Sequence, residues 1–343
     1  MTDAIKNEIG LTDPFVPGEK IETIYFGGGT PSLLAFAELT SIIDTLQKKF
    51  HFAKDTEITL EANPDDINAA SLNSWKLTGI NRLSVGIQSF NDEELKWMNR
   101  THTAADSLRC IDEITEAGFN NFSVDLIYGS PLLTDDAWKK NVDTVIARNI
   151  PHLSCYALTV EPKTALEKMI IQHKKEPVDP EKQARQFLLL MDWMQEAGYE
   201  HYEISNFAKP CNRSRHNSNY WMNIPYYGFG PSAHSYDGTR RKWNVANNSL
   251  YISSIQKGVI PAEEEILTTT QQLNEYIMTA LRTMEGIDLQ KLAARFGNDA
   301  ATQLNKNAER YLASGKLLSS GEHLILTKQG KLFADGIAAD LFF

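Results

Sequence analysis

Short runs of β-branched and aromatic residues recur along the chain: "IETIYF" from residue 21, "EITLEA" from 57, "RLSVGIQ" from 82, "NFSVDLIYG" from 121, "HLSCYAL" from 152 and "HYEISNF" from 201. Amphipathic stretches separate them. Phe36, Leu39, Ile42, Ile43, Leu46 and Phe50 fall at helical spacing, and 104–117, 135–149 and 181–197 repeat the pattern. Strands alternating with helices build β-α-β units around a parallel sheet; six such strands fit an open doubly wound sheet or a partly closed barrel, and the barrel is preferred, an α/β fold of partial (β/α)6 type. Residues 1–14 read as a helix with no strand before it, so the first unit lacks its β. Beyond about residue 260 the texture shifts to helices followed by a hairpin around "SSGEHLILT". The spacing predicts the barrel over 1–258 and a small helical, winged-helix-like domain over 259–343.

Composition narrows the function. A chain of 343 residues with 42% hydrophobic content can bury a sizeable core, and a net charge of −10 argues against a main task of gripping a phosphate backbone. Winged helices often bind DNA, but this wing carries Glu322 and His323, and only Lys328 and Lys331 follow. No nucleic-acid partner is expected, and a DNA-associated regulator stands as a minor alternative. Cys110, Cys155 and Cys211 are scattered, and no leading apolar segment reads as a signal peptide, which is a reducing, cytoplasmic profile. Cys110 and Cys155 are expected buried and Cys211 exposed.

Chemistry concentrates at strand ends. Gly27, Gly28 and Gly29 follow the first strand, Glu61 ends the second, Gln88 ends the third, and Asp125 lies in the fourth. In parallel α/β folds this edge is the ligand face. Each residue also has a bland reading as turn, cap or satisfied structural carboxylate; four strands contributing together favour a site.

The segments "YFGGGTPSLL", "EANPDD", "INRLSVGIQSFNDEELKWMNRTH", "DLIYGSP" and "YEISNFAKPCNRSRHNSNYW" together resemble the oxygen-independent coproporphyrinogen III oxidase family of radical S-adenosylmethionine (SAM) proteins. The run "RHNSNYW" with "YYGFGPSAHSY", and the C-terminal "LTKQGKLFADGIAADLF", are similar to the heme chaperone branch of that family. The resemblance implies SAM bound by Gly27, Gly28 and Gly29, with Arg100 on the methionine carboxylate, Glu61, Gln88 and Asp125 on the ammonium and ribose, and Ala157 lining the site. It implies heme held by His216, Asn217, Tyr220 and Trp221, with His216 as an iron ligand and His234 a weaker rival. It further implies delivery to a recipient hemoprotein and, with it, a peripheral membrane contact. The alternative within the family is oxidative decarboxylation of coproporphyrinogen.

One departure is plain. The family holds a [4Fe-4S] cluster on a C-x-x-x-C-x-x-C loop after the first strand, and no such motif occurs here. The expectation is that a strand and loop preceding Met1 are missing, or that this is a cluster-free paralogue; either way the chain should be inert in radical chemistry and carry an unpaired barrel edge.

Overall fold

A computed structural model describes residues 1–16 and 18–343. Helix α1 (Thr2–Leu11) precedes β1 (Lys20–Phe26). Strand and helix then alternate through α2 (Phe36–Lys49), β2 (His51–Ala62), α3 (Ala69–Leu77), β3 (Arg82–Gln88), α4 (Asp92–Trp97), α5 (Ala104–Glu116), β4 (Phe122–Tyr128), α6 (Asp135–Ala147) and β5 (His152–Ala157). These five strands pair in parallel and in chain order. Helices α7 (Ala165–Ile171) and α8 (Pro180–Glu196) lead to the sixth run, which departs from the predicted parallel strand. It folds into a hairpin of β6 (Glu200–Glu203) and β7 (Asn206–Ala208), and β7 pairs antiparallel to β5. The reversal is fixed by Glu203, whose Oε1 accepts hydrogen bonds from the Ser205 amide and the Asn206 side chain.

The seven-stranded sheet curls into a half-barrel with two unlike faces. Along each strand alternate residues point to opposite sides. Leu60, Leu83, Val85, Val124, Leu126 and Leu153 point outward and pack with Ile111, Trp138, Val142 and Leu190 of the surrounding helices. The inward set is polar: Thr23 and Tyr25 on β1, Glu57, Thr59 and Glu61 on β2, Arg82, Ser84 and Gln88 on β3, Ser123 and Asp125 on β4, His152, Ser154 and Tyr156 on β5. Parallel strands covered on both faces are ordinarily apolar throughout. The concave face is polar instead.

Past the hairpin come α9 (Arg215–Trp221) and a small antiparallel sheet of β8 (His234–Tyr236), β9 (Arg240–Asn244) and β10 (Ala262–Ile266), with α10 (Asn248–Ile255) between the last two. Strand β10 pairs antiparallel with β9, so this small sheet runs through Ile266. Buried Glu8 of α1 ties the opening helix to this region, accepting from the Tyr251 hydroxyl, the Gly230 amide and the Asn244 side chain.

A second core, with Ile277, Leu281, Leu292, Leu304, Leu324 and Ile337 among its members, is assembled from α11 (Thr269–Leu281), β11 (Ile287–Asp288), α12 (Leu289–Phe296), α13 (Asn298–Ala313), β12 (Leu317–Ser320), β13 (His323–Leu326) and α14 (Ala334–Asp340). Helices followed by a β-hairpin give the winged-helix-like outline. Both lysines after the wing turn back to the barrel: Lys328 pairs with Asp192 of α8, and Lys331 Nζ lies 2.8 Å from His201 Nδ1. No helix among the described residues is long and apolar enough to cross a membrane.

Candidate functional site

The rim at the carboxyl ends of the strands gathers the glycines with Glu61, Gln88 and Asp125. Glu61 spans two elements: Oε1 accepts from the Tyr25 hydroxyl at 2.7 Å and Oε2 from the Gly28 amide at 3.1 Å. A side chain at Gly27 would strike the Tyr25 ring at 2.7 Å and Glu61 Oε1 at 3.0 Å, so the first glycine clears room for this pair. Gly28 and Gly29 differ. Their φ angles of 77° and 67° are left-handed, and the space beside each is open. Gln88 also has positive φ, 68°, at a register shift between β3 and β4.

Asp125 is partly exposed, yet its Oδ1 is buried with no hydrogen-bond partner. Burial pushes its carboxyl up to about 6, against the pull of the Ser154 hydroxyl and the Arg82 charge. Arg100, just past α4, faces the same region: burial lowers its proton affinity while the Asp125 charge raises it. Ala157 ends β5 and is exposed.

Helix α9 is pinned to the same two strands, β1 and β2. The Glu57 carboxylate accepts from the Arg215 and His216 amides at 3.3 and 3.1 Å, and Ser214 Oγ accepts from the Asn217 amide at 3.2 Å. Both satisfy amides that a helix start leaves unpaired. His216 therefore sits in the first turn of a helix. Its ring stacks on Tyr25 with centroids 4.8 Å apart and 25° between planes, and Nδ1 lies 3.0 Å from the Thr23 hydroxyl. Burial, and then the Arg82 charge, lower its proton affinity to a pKa of about 4, so the imidazole is neutral. One turn on, half-exposed Tyr220 meets Trp221 edge-on at 5.5 Å and Tyr226 at 5.5 Å, and the Arg282 guanidinium of the C-terminal unit lies 5.0 Å over Trp221. His234 is exposed and stacks on Trp243 instead.

Thr23, Tyr25, Glu57 and Arg82 escape the motif reading. Their signal is the period-2 recurrence of polar residues inside runs otherwise read as buried parallel strands.

The cysteines do not fit an iron-sulfur cluster. Cys110 is buried in α5, its thiol donating to the Ser107 carbonyl, Cys155 is buried on the outer side of β5, and Cys211 alone is exposed. Burial pushes the Cys110 thiol up to about 12 and the Cys155 thiol well above its usual range, the reverse of what thiolate ligation needs. Among the described residues no group of three or more His, Cys, Asp or Glu is placed to hold a metal ion.

Buried histidines make stability pH-dependent. Burial holds His152 well below 6.5 and, with Lys331, holds His201 at about 3. The unfolded chain takes up protons that these rings refuse, so stability falls as pH drops below 6.5. Asp125 acts oppositely, gaining stability as pH falls from about 6 towards 3.8. His216, held at about 4, acts as His152 and His201 do, and Glu203, raised by burial, acts as Asp125 does; the three histidines outweigh the two carboxyls. The urea midpoint should fall between pH 7 and pH 5, and His201→Gln should flatten that slope; an unchanged slope would contradict the assignment.

A model of the Radical SAM superfamily matches residues 5–145, and one of the HemN C-terminal domain matches residues 267–333. The coproporphyrinogen III oxidase HemN of Escherichia coli, a radical SAM enzyme, superposes with a TM-score of 0.82 over 99% of this chain and 82% of its own, at 21% identity. Fold and lumen thus define a radical SAM-type partial barrel with a HemN-type C-terminal domain. The chain is 33% identical over 319 residues to the heme chaperone HemW of Bacillus subtilis, spanning 92% of this chain and 84% of that one. It is 29% identical over 342 residues to heme chaperone HemW of Escherichia coli, spanning 96% and 86%. The chain belongs to the HemW family.

Proposed function

We propose that this chain binds heme and hands it to a recipient hemoprotein, acting as a heme chaperone. The observation that carries the reading is the setting of His216. Its ring is neutral, stacked by Tyr25, and engaged at Nδ1 by Thr23. With Nδ1–H donating to the Thr23 hydroxyl, the lone pair lies on Nε2, the nitrogen an iron would take. Tyr220 and Trp221, with Asn217 on the same short helix, offer flat apolar area for a porphyrin. The name borne by the HemW relatives supports the same assignment.

SAM fits the glycine rim, which Glu61 and Tyr25 join to the His216 ring. Gly28 and Gly29 leave a side-chain-free cradle, Asp125 Oδ1 lacks a partner, and Gln88 and Ala157 flank the opening. Arg100 supplies a guanidinium suited to a carboxylate. Glu61 offers the acceptor capacity that remains beyond Tyr25 and Gly28. Bound there, the cofactor would supply a sulfonium and an adenosyl group. The residues present do not fit the [4Fe-4S] cluster, so no radical step is derived. The recipient is a hemoprotein, with a peripheral membrane contact where that protein is membrane-bound, and three free thiols suit the cytoplasm.

The reading is tested by loading the chain with one equivalent of hemin and mixing it with apomyoglobin. Heme should bind saturably at one site and pass to the acceptor, with the absorption spectrum converting to that of the holo acceptor. Non-saturating binding, or heme that stays put with an excess of acceptor, would sink it.

A further inference from the structure

The floor of the lumen holds an arginine with no anion. Arg82 is 1% exposed, and neither its Nε nor its Nη2 has a hydrogen-bond partner. No carboxylate lies within ion-pair distance of its guanidinium among the described residues. A guanidinium stays charged inside proteins, and an uncompensated buried charge is costly enough that arginine is almost never fully buried unless paired.

The acids nearest in the barrel are engaged elsewhere. Glu57 accepts from the first amides of α9, and Glu61 holds Tyr25 and Gly28. Asp125 is shifted towards its neutral form. What surrounds Arg82 is donor-rich. Thr59, fully buried, pairs with Arg82 in the β2–β3 register, and its hydroxyl has no partner. His152, also fully buried, engages Tyr202 through Nε2 at 2.8 Å and leaves Nδ1 without one. Of the ten unpartnered buried side-chain polar atoms among the described residues, five belong to Thr59, Arg82, Asp125 and His152, on adjacent strands of the concave face. Buried polar groups are nearly always satisfied, so their concentration at one place signals a missing partner.

We propose that Arg82, with the Thr59 hydroxyl and His152 Nδ1, forms a binding site for a carboxylate-type oxyanion, occupied by a propionate of the porphyrin held at His216. The assignment rests on the heme reading above and deepens it: Tyr25, on which the His216 ring stacks, pairs with Thr59 across β1 and β2, and Thr59 pairs with Arg82 across β2 and β3, so the two sites share one level of the concave face. A planar guanidinium with two free N–H directions matches a carboxylate in a bidentate fork. The same chemistry would also take a free carboxylate or phosphate, and the experiment separates the sources.

The unaltered full chain, Arg82→Met and Thr59→Val are titrated with heme and with heme dimethyl ester, and each is melted with and without acetate and inorganic phosphate. The unaltered chain should bind heme at least tenfold more tightly than the ester. Arg82→Met should abolish that preference by weakening heme alone, and Thr59→Val should reduce it several-fold. In anion-free buffer Arg82→Met should melt as high as the unaltered chain or a few degrees higher, because an unpaired buried charge has been removed. Equal affinity for heme and ester in the unaltered chain, equal loss of both in Arg82→Met, or an Arg82→Met chain that melts much lower or fails to fold would each overturn the site. Should the unaltered chain bind no heme, the heme reading fails by itself. A melting-point rise on adding acetate or phosphate that is absent from Arg82→Met then upholds a free-anion site, and no rise overturns it.

Discussion

A Glu57→Ala chain should be destabilised by about 2–4 kcal/mol and should bind heme poorly, because one carboxylate carries the attachment of α9 to the barrel. Glu57 is 5% exposed and accepts from two backbone amides, those of Arg215 and His216. Alanine leaves both half-buried donors without an acceptor, each at a cost of about 1–3 kcal/mol. The helix start then frays, and the His216 ring loses its fixed approach to Thr23 and Tyr25. Glu57→Gln keeps one acceptor oxygen and should cost less than half as much. Urea unfolding followed by hemin titration of the three chains checks this. A Glu57→Ala midpoint within about 0.5 kcal/mol of the unaltered chain, with unchanged heme affinity, would refute the attachment.

Gly286→Ala should damage the C-terminal unit more than any surface change there. Gly286 has φ 70°, and a Cβ would sit 2.2 Å from the Leu324 carbonyl oxygen, which belongs to rigid backbone in β13. The next residue, Ile287, pairs with Leu324, so relief of the clash must open the β11–β13 pairing that closes the second core. A loss of about 3 kcal/mol or more is expected, from the positive φ together with the overlap. Hydrogen exchange should accelerate in α12, α13 and the wing while β1 to β5 stay protected. Uniform acceleration over both units would contradict separate cores, and no acceleration would contradict the clash.

Much of this architecture is legible in the sequence because single physical signals decide it. Leu39, Ile42, Ile43 and Leu46 specify the buried face of α2, and the runs at 21, 57, 82, 121 and 152 become the five parallel strands. The sixth run misleads since "HYEISNF" has strand composition throughout, while its reversal depends on Glu203 bonding to residues two and three positions ahead. The short helix carrying His216 has no apolar period to betray it; it forms because Ser214 and Glu57, a carboxylate 159 positions before His216, bind its first amides. The glycine run divides in a way that residue type conceals: Gly27 clears space for Tyr25 and Glu61, and Gly28 and Gly29 supply backbone geometry. Arg82 opens its strand run and so passes for a solvated strand end. Only the curl of the sheet turns that position inward, where alternation with Ser84 makes it part of the lumen floor.

The central claim, that His216 donates its imidazole to heme iron, is tested most directly by hemin titration of the unaltered chain, His216→Ala and His173→Asn. His173 is exposed with φ 56°, a conformation asparagine tolerates, so it controls for nonspecific uptake by a surface histidine. The account predicts at least tenfold weaker binding and a displaced Soret band for His216→Ala, with His173→Asn indistinguishable from the unaltered chain. Equal affinities and identical spectra for all three would contradict it.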